Sequence, residues 1–253
     1  MSEYLQVNMS DSDFIEKLKN SIKHKLPLSF SRFGDGEIFF INNNLPKIVI
    51  DLLINTYGYS DIEVAKKDVL NTINIALAST DIIGIMNKNN TISKNISYTQ
   101  ETWSIKHDYV KSLRQNKEIL VVDHMITRGV DLGDINNFKN IINGNNIAIV
   151  TPRCELLKKT EIHKILDVDI NYIDIPMGMN LNERDDIFCK LDDINELIVL
   201  YGCSLTGKDF GAYLSNKGKI SLDFGATLDA WSGLITRNWF NKNGIQSHCL
   251  INK

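Results

Sequence analysis

The chain has 253 residues, of which 43% are hydrophobic, 23% charged and 8% aromatic, the balance of a globular protein long enough for a large core. Its 28 basic and 31 acidic side chains leave a formal charge of −3, which argues against a dedicated nucleic-acid binder, since those carry a basic excess. Fifteen Gly and four Pro exclude collagen-like and Pro-rich disordered chains.

The opening MSEYLQVNMSDSDF has no basic stretch followed by an apolar one, so no signal peptide is expected. No apolar run reaches the roughly 20 residues of a membrane span; the longest, Ile48–Ile54, is broken by Asp51. Cys154, Cys189, Cys203 and Cys249 are scattered without a CxxC pair. Free thiols in a cytoplasmic protein are therefore expected, rather than a disulfide framework or a zinc site.

Ser10 or Asp11 is suited to cap a first helix. Phe14, Leu18 and Ile22 recur every four residues along it, and Pro27 ends it. LSFSRF follows as a short strand running into the turn GDGE. Asp61–Ser79 is a second helix by the spacing of Ile62, Ala65, Val69, Ile73 and Ala76. Asp81–Met86 is a buried strand, and Glu101–Gln115 is helical. Beyond it, strand candidates Ile119–Val122, Ile147–Val150, Tyr172–Ile175, Leu197–Tyr201 and Ile220–Leu222 alternate with helix candidates. Those helices are Asp134–Ile142, Glu155–Leu166, Glu183–Leu191 and Lys208–Asn216. Strands apolar on both faces and separated by helix-length segments imply an α/β fold. It is a Rossmann-like, mostly parallel sheet with helices on both faces. No linker or long repeat divides the chain, so residues 1–253 are expected to form one domain, those before about 80 contributing a partial cap.

In such sheets ligands sit beyond the carboxyl ends of the strands. Arg32, Asp35 and Glu37 follow the first strand; Asp123, His124, Thr127 and Arg128 follow ILVV; Thr151 and Arg153 follow IAIV. GCSLTGKD follows LIVLY, and Asp223 and Asp229 follow ISL. Loops are polar in any protein, but charge, hydroxyls and Gly gather over several of these strand ends.

Alternate side chains of an extended segment point the same way, so Asp35 and Glu37 are expected to face one site. Two hard oxygen ligands suit Mg²⁺ or Mn²⁺, with waters and substrate phosphates completing the shell. Gly34 and Gly36 allow a tight turn and a close approach. Arg32 adds a planar positive charge suited to phosphate or carboxylate. The plainer alternative is a surface turn, because Asp-Gly is a common turn pair.

Gly202, Gly207 and Lys208 fit the first seven positions of a Walker A loop, but Asp209 stands where a Ser or Thr would bind Mg²⁺. A looser reading has Gly202, Ser204, Thr206, Gly207 and Lys208 offering amides, hydroxyls and a cation to a diphosphate. An ordinary capped loop is the alternative. Asp123-His124 is a weak candidate for a base pair, and Trp103, Trp231 and Trp239 are core residues before they are stacking platforms. Neither GxSxG nor GxGxxG occurs.

SRFGDGE, then ETW, then HMITRGVDLG after a strand, then the late Gly/Ser/Thr loop, then SLDFGATLDAWSG, resembles the GT-D type glycosyltransferases. The resemblance runs from about Leu28 to Leu234, and RFGDGE is its most specific element. It implies a Rossmann-like domain in which Asp35 and Glu37 form an Asp-x-Glu pair acting with Mn²⁺ or Mg²⁺ on a nucleotide-sugar diphosphate. Arg32 would sit beside them, the Gly202–Lys208 loop on the phosphate side, and Asp223 in the family's Asp-x-Gly segment. Better-known members carry a His and further acids after that Gly, where this chain has Ala226, Thr227, Leu228 and Asp229.

The implied reaction moves a hexose from a UDP-sugar to a polysaccharide, lipid-linked glycan or glycoprotein, with no nucleic acid and at most peripheral membrane contact. Asp229, Asp131 and His124 are candidates for the base of an inverting reaction. Two other classes remain open. One is a metal-dependent phosphatase or nucleotide hydrolase. The other is a non-catalytic nucleotide-binding module of a glycan assembly complex.

Overall fold

The computed structural model describes residues 3–86, 104–180 and 183–234. Seven strands lie within them: β1 (Leu28–Phe33), β2 (Ile82–Ile85), β3 (Leu120–Asp123), β4 (Ile147–Thr151), β5 (Ile170–Asp174), β6 (Ile198–Tyr201) and β7 (Ile220–Asp223). They form one parallel sheet in the order β3-β2-β1-β7-β6-β4-β5. Around it run α1 (Asp11–His24), α2 (Asp35–Ile41), α3 (Lys47–Asn55), α4 (Ile62–Ser79), α5 (His107–Leu113) and α6 (Ile135–Ile142). Then come α7 (Cys154–Lys159), α8 (Ile162–Leu166), α9 (Arg184–Asp192), α10 (Phe210–Asn216) and α11 (Ala226–Trp231).

The period of two along each strand sorts the core into layers. Phe30, Ile82, Val122, Ile149, Leu200 and Leu222 face one side and pack with α1, α6, α7, α8 and α11. Phe33, Ile83 and Val121 face the other, against α2, α3, α4 and α5. Val150, Val199 and Tyr201 extend that second layer beneath α9 and α10. The α/β, Rossmann-like expectation holds, with each predicted strand present to within about two residues.

From β1 the chain crosses to the second layer through α2, α3 and α4; from β7 it turns into α11 in the first layer. Neighbouring strands whose connections leave to opposite faces open a crevice at their carboxyl ends. That crevice lies where Arg32 ends β1 and Asp223 ends β7.

Three local features differ from the sequence reading. GDGE is not a turn, because Asp35 starts α2 with Gly34 at its N-cap. α3 and α11 are further helices that were not anticipated. Each is short, and α11 is buried at five of its six positions, so no polar stripe marks it. The helix expected over Glu155–Leu166 is two, broken where Glu161 takes a left-handed backbone with φ +54°. Within the stretch expected as a partial cap, β1 is an inner strand and α1 a core helix. Before residue 80, α2 and α3 are the helices that supply cleft-lining residues.

Ser10 caps α1 as expected, its Oγ accepting the Asp13 N–H at 3.1 Å. Trp231 is wholly buried against Phe138 and Phe224, and its Nε1 donates to the Gly133 carbonyl at 3.0 Å. Trp103, Trp239, His248 and Cys249 lie outside the described residues. No helix among the described residues is long and apolar enough to cross a membrane.

Burial, with Asp131 and Asp123 nearby, pushes the Asp11 carboxyl up to about 6. Its folded pKa exceeds the unfolded one, so the folded state loses stability as pH rises from about 4 to 6. Asp11→Asn should therefore raise stability by about 1 kcal/mol at pH 7, after allowance for its partial exposure. The gain should vanish below about pH 4, which urea titrations at the two pH values would check.

Candidate active site

Four ionised side chains close the floor of the crevice. The Arg32 backbone N–H donates to Asp223 Oδ2 at 3.1 Å, and the side-chain Nε lies 3.5 Å from Oδ1. Lys208 Nζ donates to Asp223 Oδ2 at 2.8 Å and to the Arg32 carbonyl at 2.7 Å. It also lies 3.0 Å from Glu37 Oε1. The second Glu37 oxygen accepts the Gly34 N–H at 2.7 Å. Exposures are 5% for Arg32, 7% for Glu37, 6% for Lys208 and 3% for Asp223. Charges so buried are tolerated only when paired and hydrogen-bonded, and here two of each sign balance.

Burial alone would raise the Asp223 carboxyl, but Lys208 and Arg32 hold it below the usual carboxylate range. Burial would likewise lower the Lys208 ammonium, and Asp223 and Glu37 push it above its ordinary value instead. Both groups stay charged through neutral pH.

Two buried guanidinium nitrogens of Arg32, Nε and Nη1, make no hydrogen bond among the described residues, and Nε is near only Asp223. The guanidinium is admitted by Gly225, whose φ is +45° and where a Cβ would lie 1.9 Å from Nη2. An unsatisfied guanidinium nitrogen in a cleft is a seat for an anion.

The cleft above holds about 550 Å³ and is charged on one side and apolar on the other. Arg153 Nε lies 3.4 Å from Asp229 Oδ1, with Arg128 and His124 nearby on the charged side. Burial, then Arg128, Arg32 and Lys208, push the His124 imidazole well below its ordinary value, so it is neutral. Phe39, Val49, Leu52, Pro176 and Met177 line the apolar side. Tyr57 bridges the two, its hydroxyl hydrogen-bonded to Ser204 Oγ.

The expected Asp35–Glu37 grip is not formed. On a helix, side chains two apart diverge by about 200°. Glu37 turns inward to Lys208 and Gly34, while Asp35 is exposed and its Oδ1 accepts the Gly36 N–H at 3.0 Å. The seat between Glu37 and Asp223 is filled by the Lys208 ammonium. Among the described residues no three of His, Cys, Asp and Glu are grouped to hold a metal. Asp35 and Glu37 thus do not converge on one cation position in this arrangement, where the Lys208 ammonium sits between Glu37 and Asp223.

Gly34, Gly202, Ser204 and Lys208 line the cleft. Thr206 and Gly207 do not, because Leu205–Gly207 is a 3-10 turn packed on α4, the Leu205 carbonyl accepting Thr72 Oγ1 at 3.2 Å. Arg184 holds the Thr206 carbonyl at 2.8 Å and pairs with Asp209. No Walker-type cradle results. Asp131 stands away from the cleft lining, beside Asp11. Arg128 and Arg153 were visible in sequence as strand-end cations but were not assigned to the site; Tyr57 and the α3 wall carried no signal.

A family model, the GT-D fold-like domain, matches residues 9–231. The chain belongs to the GT-D-like family. No curated protein sequence matches it. Among solved structures, this GT-D-like chain resembles a protein described as a new glycosyltransferase of domain of unknown function 1792 from Streptococcus sanguinis. That match has TM-score 0.56 and 15% identity, over 89% of this chain and 84% of the other. A second, described as having a distinct glycosyltransferase fold, matches with TM-score 0.55 and 16% identity, over 94% and 93%. A third structure of the same domain gives 0.54 at 17% identity, over 87% and 80%. At these identities the likeness is one of fold. It makes the GT-D-like chain a glycosyltransferase-fold protein whose crevice floor is the Arg32–Lys208 cluster.

Asp223→Leu would leave Lys208 and Arg32 short of their shared counter-charge and should cost about 3–5 kcal/mol in urea unfolding. Arg32→Met and Gly225→Ala should each weaken binding of inorganic pyrophosphate by about tenfold or more in calorimetry. Unchanged affinity in either would contradict the anion seat.

Proposed function

We propose that the protein is a hexosyltransferase moving a sugar from a nucleotide diphosphate, a UDP-sugar, to a glycan acceptor in polysaccharide or glycoconjugate biosynthesis in the cytoplasm. The observation that carries this reading is the unpartnered Arg32 Nη1 at the β1–β7 crevice of a GT-D-like fold. The glycosyltransferase described among the structural neighbours supports it.

Breaking the bond between the anomeric carbon and the diphosphate oxygen sends the electron pair to the leaving nucleoside diphosphate. Fixed positive charge stabilises that developing anion without reorganisation. Arg32 binds it through Nη1, and Lys208, Arg128 and Arg153 add to the field in the partly closed cleft. The apolar side, with Phe39, Leu52 and Tyr57, suits the face of the uracil or sugar ring.

The acceptor hydroxyl oxygen attacks the anomeric carbon, and in an inverting course a base takes its proton. Asp229 is that base in our reading. It lines the cleft, and Arg153 holds its carboxylate in place. His124 is the poorer choice, because its protonated ring would face Arg128, Arg32 and Lys208. The acceptor is a sugar hydroxyl of a polysaccharide, a lipid-linked glycan or a glycoprotein.

With UDP-sugars and a panel of glycan acceptors, UDP release should depend on acceptor. Asp229→Asn should lower kcat by about 100-fold or more and leave the donor KM within about threefold. Phosphate release from nucleotides without any acceptor would turn the reading to a hydrolase. Nucleotide binding with no turnover across the panel would turn it to a binding module.

A further inference from the structure

Resting on that reading, we propose that the Lys208 ammonium takes the place of a divalent cation, so that donor binding and sugar transfer proceed without a metal ion. Lys208 Nζ is held by three oxygens as a small cation would be: Asp223 Oδ2 at 2.8 Å, Glu37 Oε1 at 3.0 Å and the Arg32 carbonyl at 2.7 Å. Those include both buried carboxylates at the crevice floor. Both Glu37 oxygens are engaged, Oε1 with Lys208 and Oε2 with the Gly34 N–H.

Electrostatics point the same way. Arg32, Lys208, Glu37 and Asp223 are charge-neutral as a set and nearly sealed from water. A divalent cation entering between the acids would stand beside two fixed cations and would have to expel the ammonium into a site without a second carboxylate pair. Stripping Mg²⁺ or Mn²⁺ of water for such a site is unfavourable. Asp35 alone faces outward, and one exposed carboxylate is a poor cage. The positive charge a metal brings to a departing diphosphate is already supplied by the Arg32 guanidinium, whose Nη1 has no hydrogen-bond partner among the described residues, and by Lys208, both of which line the cleft.

The balance of the reaction is unaffected. The anomeric C–O bond to diphosphate breaks, its electron pair leaves on UDP, and the acceptor proton goes to Asp229. No metal-bound species is required.

Calorimetry of UDP, GDP and ADP against the wild-type protein, in excess EDTA and again with excess Mn²⁺, tests this directly. We expect UDP affinities in the two conditions to agree within about threefold, and acceptor-dependent UDP release to continue in EDTA. Binding that weakens by about tenfold or more in EDTA would overturn the metal-free assignment and leave the transferase reading standing. Failure of every nucleotide to bind in both conditions would overturn the two together. Lys208→Gln should lose about tenfold or more of the UDP affinity in EDTA with its circular dichroism unchanged. Wild-type affinity in a natively folded Lys208→Gln protein would equally overturn the proposal. If that variant does not fold, the wild-type comparison alone decides.

Discussion

A single ammonium group, wedged between two carboxylates and a backbone carbonyl, organises the carboxyl end of this sheet. Lys208 comes from the segment after β6, Asp223 from the end of β7, the carbonyl of Arg32 from β1 and Glu37 from the first turn of α2. Two stretches far apart in sequence, 32–37 and 208–223, meet at that nitrogen. None of the four charges tolerates burial alone, so each fixes the position of the others. The Arg32 guanidinium is thereby set at the crevice with Nη1 unpartnered among the described residues, in space that only a glycine at 225 provides.

Much of the fold could be read from the order of apolar runs. Ile147–Thr151 and Ile198–Tyr201 are apolar on both faces, and that alone announced a parallel sheet with helices above and below. The strand order could not be read, because it depends on which helix packs to which side. The crevice between β1 and β7 follows from α2 and α11 leaving to opposite layers. α11 itself was hidden, since its apolar residues are buried nearly all round and show no helical stripe.

The site was legible in its residue types more than in its geometry. RFGDGE drew notice for Arg32 and Glu37, and both sit at the centre of the cluster. The spacing argument for Asp35 and Glu37 assumed an extended chain. Gly34 instead starts a helix in which Glu37 caps the first turn, and the two acids part company. The late loop offered Lys208 as a partner for phosphate, yet its amino group serves the carboxylates and only its charge reaches the ligand. Thr206 and Gly207 belong to packing against α4, a contact across more than a hundred residues that no local pattern encodes. The asymmetry of the cleft, charged beside β7 and apolar along α3, came from two such distant segments brought together.

The most direct test of this account is a crystal structure with UDP grown in the presence of EDTA. It should show diphosphate oxygens within hydrogen-bonding distance of the Arg32 guanidinium, with Lys208 still seated on Glu37 and Asp223. A nucleotide lodged away from Arg32, or a Lys208 swung out of its seat so that the two carboxylates stand open, would contradict it.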